Sequence, residues 1–241
     1  MRNNIYLLLL FSIIPTLLFY YFINVSEHYD YIVGISAIVG GFLISFLAFI
    51  LHKKYSKTQC LGTVMLFLSM AYISYAVAES MWFQFSLSDI DPYPSMADLA
   101  YGFYYLFTGL ALATLFRTFI KRINKYGVIF VISIIILVYF GYYSLSVYYE
   151  SEFINYGGLF IVASSLIAAI SVVIAFRLHV KSIKYIWIIV AIVITINSVG
   201  DVWYYTLENI GIYEYGNFID GLWFIADLLM IGILLIHYRL R

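Results

Sequence analysis

The chain has 241 residues, 64% of them hydrophobic and 11% charged, with 13 basic residues balancing 13 acidic ones. Soluble domains are about 45–50% apolar and about 25% charged, so a water-soluble globule of this size is excluded. High hydropathy excludes a disordered chain, zero net charge argues against a basic nucleic-acid-binding protein, and a single cysteine, Cys60, excludes a disulfide scaffold.

A helix needs about 20 apolar residues to cross a bilayer. Eight such segments follow one another, at roughly 5–24, 31–52, 61–84, 97–117, 127–148, 155–177, 185–206 and 217–238. Their apolar runs are too long and too even for transmembrane strands. The first is read as a retained helix and not as a signal peptide, because its apolar stretch is long, contains Pro15 and precedes no small-residue cleavage site. The second carries Gly40-Gly41, and the sixth carries Gly157-Gly158 with Ala163, Ser164, Ser165, Ala168 and Ala169. Small residues of this kind let helix backbones approach closely. The third ends near Glu79 and Trp82, and the loop SLSDIDPYPS after it places Asp89 and Asp91 in turns. The fourth opens with Asp98, Tyr101 and Tyr105, the seventh ends with Asn197, Ser198, Asp201 and Trp203, and the eighth opens with Asp220, Trp223 and Asp227.

Every Lys and Arg falls at one end of these segments or in alternate loops, and the connections 25–30, 85–96, 149–154 and 207–216 contain none. By the positive-inside rule the basic side is cytoplasmic. The predicted protein is a multi-pass cell-membrane protein in the lipid bilayer, with both termini in the cytoplasm and no soluble output domain. The whole of 1–241 reads as a single membrane domain.

The two halves of the chain resemble each other at an offset of roughly 122 residues: Glu79 maps to Asp201, Asp98 to Asp220, Tyr101 to Trp223 and Arg117 to Arg239. Repeat one is 1–122 and repeat two is 123–241. A four-span unit keeps its orientation on duplication, so the predicted fold is an all-α integral membrane protein, eight transmembrane helices in two parallel four-helix repeats.

The acidic residues occupy the outer half. A charge in the hydrocarbon core costs about 2.5–3.5 kcal/mol on insertion scales, so Glu79, Asp201 and Asp227 are expected to face the bundle interior and mark a site. Asp220, Trp223 and Asp227 share one helix face, and Asp98, Tyr101 and Tyr105 share the matching one. Asp98 and Asp220 also fit helix-capping positions after Ser95 and Asn217. Outer Trp and Tyr fit an interfacial belt. The candidate ligand-binding set is Glu79, Trp82, Asp98, Tyr101, Asp201, Trp203, Asp220, Trp223 and Asp227. No outer Lys or Arg is available to pair with these carboxylates, and His28 is the one ionisable cation on that side. Three alternatives follow: protonated carboxyls in interhelical hydrogen bonds, proton carriers, or a site for a cationic or amine ligand from outside.

No catalytic pattern accompanies them. His52, His179 and His237 sit at inner helix ends, no HExxH occurs, and there is no GxSxG elbow, P-loop or GxGxxG. No catalytic residue, metal site or cofactor is expected, and no nucleic-acid partner.

The stretch Asp91-Pro92-Tyr93-Pro94-Ser95-Met96-Ala97-Asp98, running into an aromatic-rich span, resembles a pattern of prokaryotic multi-span sensor-like membrane domains. Those domains precede diguanylate cyclase or histidine kinase domains. The resemblance covers spans three, four, seven and eight, about half the chain. It implies a sensory role and singles out Pro92, Pro94, Ser95, Asp98, Glu79, Asp201 and Asp220. The chain departs from it in carrying no output domain, which implies a separate signalling partner. Sensing or ligand binding is the first reading. A small secondary transporter of cations or amines is the alternative, and an intramembrane enzyme or assembly factor the second. A transporter is disfavoured by the lack of Pro-broken midspan helices and of acidic residues in the inner halves of the spans.

Overall fold

The computed structural model describes residues 12–22, 29–57, 59–88, 95–120, 125–148, 154–178, 181–209, 211–213 and 217–239. Asp89, Asp91, Pro92, Pro94, His28 and His179 lie outside them.

Long apolar runs become helices in a bilayer because only a helix or a closed barrel satisfies its own backbone there. The described residues form helices and no strands: α1 (Ser12–Phe22), α2 (Tyr29–Lys54), α3 (Gln59–Ser86), α4 (Met96–Phe119), α5 (Lys125–Tyr148), α6 (Ile154–Arg177), α7 (Lys181–Asn209) and α8 (Phe218–Arg239). Helices α2 to α8 are each long and apolar enough to cross a membrane. Helix α1 is the described part of the expected first span, whose other residues lie outside the description. The bounds of α2 to α8 match the predicted segments to within four residues at either end.

Six helices close a ring. Helix α2 packs on α3, α3 on α4, α4 on α6, α6 on α7, α7 on α8, and α8 back on α2. Helix α5 leans on α6 and α7 from outside, with Ile136, Leu137 and Phe140 all exposed. Helix α1 lies against α8, where Phe19 stacks on Phe224 at 4.3 Å between ring centroids and the Tyr20 hydroxyl donates to the Phe218 carbonyl.

The inner storey of the ring, next to the basic helix ends, is packed with buried apolar side chains. Ile44, Leu51, Val64, Met65, Leu115, Ile174, Val193, Met230 and Ile233 are all but fully buried there. Lipid tails are as apolar as these side chains, so packing and interhelical hydrogen bonds hold such a bundle together. At Gly41 the α2 backbone comes so close to α3 that an added Cβ would stand 3.0 Å from the Cβ of Ala76. Lower down, Ser45 and Ser69 clasp α2 to α3: each hydroxyl donates to the other's backbone carbonyl at 2.9 Å. The double variant Ser45→Ala, Ser69→Ala is expected to lose about 1 kcal/mol, at about 0.6 kcal/mol per membrane hydrogen bond, read from reversible unfolding in bicelles.

Two lysines at the end of α2 lie along aromatic rings. Lys53 lies over Phe49 at 4.7 Å from the ring centroid and Lys54 over Tyr238 at 4.8 Å. Lys54 also donates to the Tyr238 carbonyl, placing a positive charge on the negative C-terminal end of α8.

Candidate functional site

The storey of the ring away from the basic helix ends holds a cavity. This cavity of about 390 Å³ lies between α2, α3, α4, α7 and α8, with Phe19 of α1 at its edge. It is lined by five carboxyl side chains, Glu79, Asp201, Glu208, Asp220 and Asp227, and by no Lys, Arg or His among the described residues. Helical periodicity places them. On α3, Tyr72, Tyr75 and Glu79 are spaced i, i+3, i+7 and line one stripe, while on α7 Asn197, Asp201, Tyr204 and Glu208 do the same.

Asp201 joins four helices. Its Oδ2 accepts from Tyr105 of α4 at 2.9 Å and from Ser164 of α6 at 2.5 Å, and its Oδ1 accepts from the Trp223 indole of α8 at 3.1 Å. Trp223 reaches it because residue 200 is glycine: a Cβ there would stand 2.6 Å from the indole nitrogen. Glu79 receives the Tyr101 hydroxyl at 2.7 Å, from α4 to α3. Among the described residues lining the cavity there is no cation, and the carboxyl groups of Asp201 and Glu79 are held by neutral donors.

Asp220 is buried and accepts from the Tyr213 hydroxyl at 2.8 Å. The end of α7 sets that tyrosine. Gly211 adopts φ +69°, its N–H donates to the Glu208 carbonyl at 3.0 Å, and the Ile212 N–H donates to the Leu207 carbonyl at 3.1 Å. This is a Schellman turn, which needs the left-handed conformation glycine allows.

Tyr72 and Asp227 stand apart from these donor–acceptor pairs. The Tyr72 hydroxyl is buried and has no geometrically sound hydrogen bond among the described residues. Asp227 is 5% exposed and receives no hydrogen bond from a described residue. Its carboxylate fits against α2 only because residue 40 is glycine, where a Cβ would stand 2.5 Å from Oδ2. Aromatic rings complete the wall: Tyr75 stands edge-on to Tyr101 at 6.2 Å, Tyr72 to Tyr104 at 5.7 Å, and Tyr204 to Tyr213 at 4.7 Å.

Of the residues singled out from sequence, Glu79, Trp82, Tyr101, Asp201, Asp220, Trp223 and Asp227 meet at this cavity. Two do not line it. Asp98 closes the capping box of α4: its Oδ2 accepts from the Ser95 N–H at 2.6 Å while the Ser95 hydroxyl accepts from the Ala97 N–H at 3.1 Å. Trp203 points out of the ring, half exposed, into a separate groove lined by α5, α6 and α7. Tyr72, Tyr75, Tyr104 and Tyr213 were not among the sequence candidates. The first three share helical stripes with Glu79 and Tyr101, a spacing that could have found them, whereas Ser164 meets Asp201 only through the packing of α6 on α7. Among the described residues no group of three or more His, Cys, Asp or Glu side chains is placed to hold a metal ion.

The arrangement can bind a cation. Carboxyl groups, aromatic faces and polar side chains converge on one space. No family model, curated protein or solved structure matches the chain.

Proposed function

We propose that this multi-pass membrane protein is a binding module that takes a cationic ligand, an organic amine, into an outward-facing cavity and signals its occupancy to a separate partner protein. The observation that carries this reading is the cavity itself, with five carboxyl groups, aromatic walls and no described basic side chain. Steric fit and charge both favour a compact ammonium group ringed by Tyr and Trp faces.

The outward orientation rests on the positive-inside rule, since the described Lys and Arg residues stand at the helix ends opposite the cavity. Two parallel repeats are supported by the donor pattern. Tyr101 to Glu79 and Trp223 to Asp201 are the same pair of positions in the two halves, each linking the fourth helix of a repeat to its third. The pairing of α2 with α8 and of α4 with α6 is the exchange that a two-fold relation would give. The resemblance of the segment before α4 to sensor-like membrane domains favours signalling. The packed inner storey favours binding over transport, because the described residues lining the cavity include none of its buried apolar side chains such as Met65, Leu115 and Ile233.

In this mechanism the ligand neutralises the carboxylates. Helices α3, α4, α7 and α8 then repack, provided the two arrangements differ in affinity for the ligand. The purified full chain in nanodiscs is expected to bind tetramethylammonium in calorimetry. The triple variant Glu79→Gln, Asp201→Asn, Asp227→Asn is expected to bind at least roughly 100-fold more weakly, about 2.7 kcal/mol, since each charge acts in a low-dielectric pocket. Unchanged binding in the triple variant would sink the proposal.

A further inference from the structure

The cavity shares a wall with the lipid-facing surface. A second space, an apolar groove of about 510 Å³, runs along the outside of the ring between α2 and α8, walled by Ile35, Val39, Leu43, Leu228 and Ile231. Ser36, Phe224 and Asp227 line both the groove and the cavity. Ile35, Val39 and Leu43 are about half exposed, so the groove opens where lipid chains would lie.

Asp227 occupies the junction. It is buried, it receives no hydrogen bond from a described residue, and Gly40 leaves the room it needs between the two helices. A carboxylate at membrane depth is costly unless it faces a partner or a polar space. Asp227 serves an ammonium group in the cavity together with Glu79 and Asp201, but of the three it alone also lines the groove. A ligand with a charged head and an alkyl chain uses both spaces at once.

We infer that the ligand is a cationic amphiphile that enters sideways from the bilayer between α2 and α8. Its ammonium head passes Asp227 into the cavity, and its chain stays in the groove beside Ile35, Val39 and Leu228. This rests on the cation-binding reading above and names the ligand class for the same site. The chain is already out of water before it binds, so the selectivity comes from the head: carboxylates attract it and would repel an anion on a chain of the same length.

The test uses the full chain in neutral phosphatidylcholine nanodiscs with two photoreactive probes. Both carry the same diazirine-bearing dodecyl chain, one on a trimethylammonium head and one on a sulfonate head. Labelled residues are mapped by mass spectrometry, and tetramethylammonium binding is measured separately on the same sample. The cationic probe is expected to label the α2–α8 groove about tenfold more than the anionic probe. Excess tetramethylammonium should remove that excess, and Asp227→Asn should reduce it by a similar factor. Equal labelling by the two probes, or labelling spread over the lipid-facing surface and indifferent to tetramethylammonium, overturns the inference. In that event, retained tetramethylammonium binding leaves the cavity reading standing, and its absence removes that reading as well.

Discussion

Replacing Asp201 by leucine is expected to destabilise the bundle by about 2–3 kcal/mol, whereas Asp201→Asn is expected to cost less than about 1 kcal/mol. The difference follows from what the three donors can do. Tyr105 and Ser164 present hydroxyls, which both donate and accept, and Trp223 presents an indole N–H that only donates. Asparagine can turn its carbonyl towards Trp223 and its amide N–H₂ towards the two hydroxyls, so every group keeps a partner. Leucine leaves three polar atoms on α4, α6 and α8 facing an alkyl chain at the point where those helices meet. Reversible unfolding in bicelles separates the two variants. Equal losses would mean that the hydrogen bonds are irrelevant and that Asp201 contributes by volume alone. For cation binding the order changes. Both variants remove the charge, so both are expected to bind tetramethylammonium at least roughly tenfold more weakly.

Gly221→Ala is expected to undock α1. An added Cβ would stand 2.0 Å from the Tyr20 hydroxyl oxygen and 2.1 to 2.3 Å from ring carbons, an overlap that no rotation of a single terminal atom relieves. Tyr20 must leave, and its bond to the Phe218 carbonyl and the Phe19–Phe224 stack are lost with it. Overpacking of a closely fitted contact costs about 1–3 kcal/mol, and the smaller expense here is to release the peripheral helix. Cysteines placed at positions 19 and 224 in a Cys60→Ser background report this directly. A short bifunctional reagent should join them in the parent and fail to do so in Gly221→Ala. Because Phe19 also edges the cavity, the same variant should weaken tetramethylammonium binding. Undiminished cross-linking would show that α8 yields at residue 221 in place of α1.

Much of the fold could be read from the residues alone. Runs of about 20 apolar residues leave the backbone one economical solution in a bilayer, so α2 to α8 appear within a few residues of their predicted bounds. The site was legible where helical periodicity carries information. Glu79, Asp201, Asp220, Trp223 and Asp227 stand out because carboxylates are costly at membrane depth, and spacing alone puts Asp220, Trp223 and Asp227 on one face. Periodicity is silent about which face of one helix meets which face of another. Trp203 lies two residues past Asp201, about 200° round α7, and so points out of the ring into the groove beside α5 and α6. Asp98 and Asp220 hold matching positions in the two halves, yet Asp98 spends its oxygen on a helix cap and Asp220 faces the cavity.

The sequence by itself determined the solvent, since 11% charged residues cannot clothe a soluble surface, and it determined the helices, because each is a local consequence of its own apolar run. It also determined that negative charge would gather in one half without a basic counterpart. Only the tertiary structure decided that this half holds a cavity and the other a packed apolar core, that Ser164 and Tyr105 complete the hydrogen bonding of Asp201, and that Asp227 stands between the cavity and an apolar groove on the outside of the ring. The reason is physical. In a bilayer, lipid and apolar side chains are nearly equivalent neighbours, so hydrophobicity does not select the contacts between helices. Those contacts depend on glycines such as Gly40, Gly200 and Gly221 and on single hydrogen bonds, which act between residues far apart in the chain and leave no periodic trace in it.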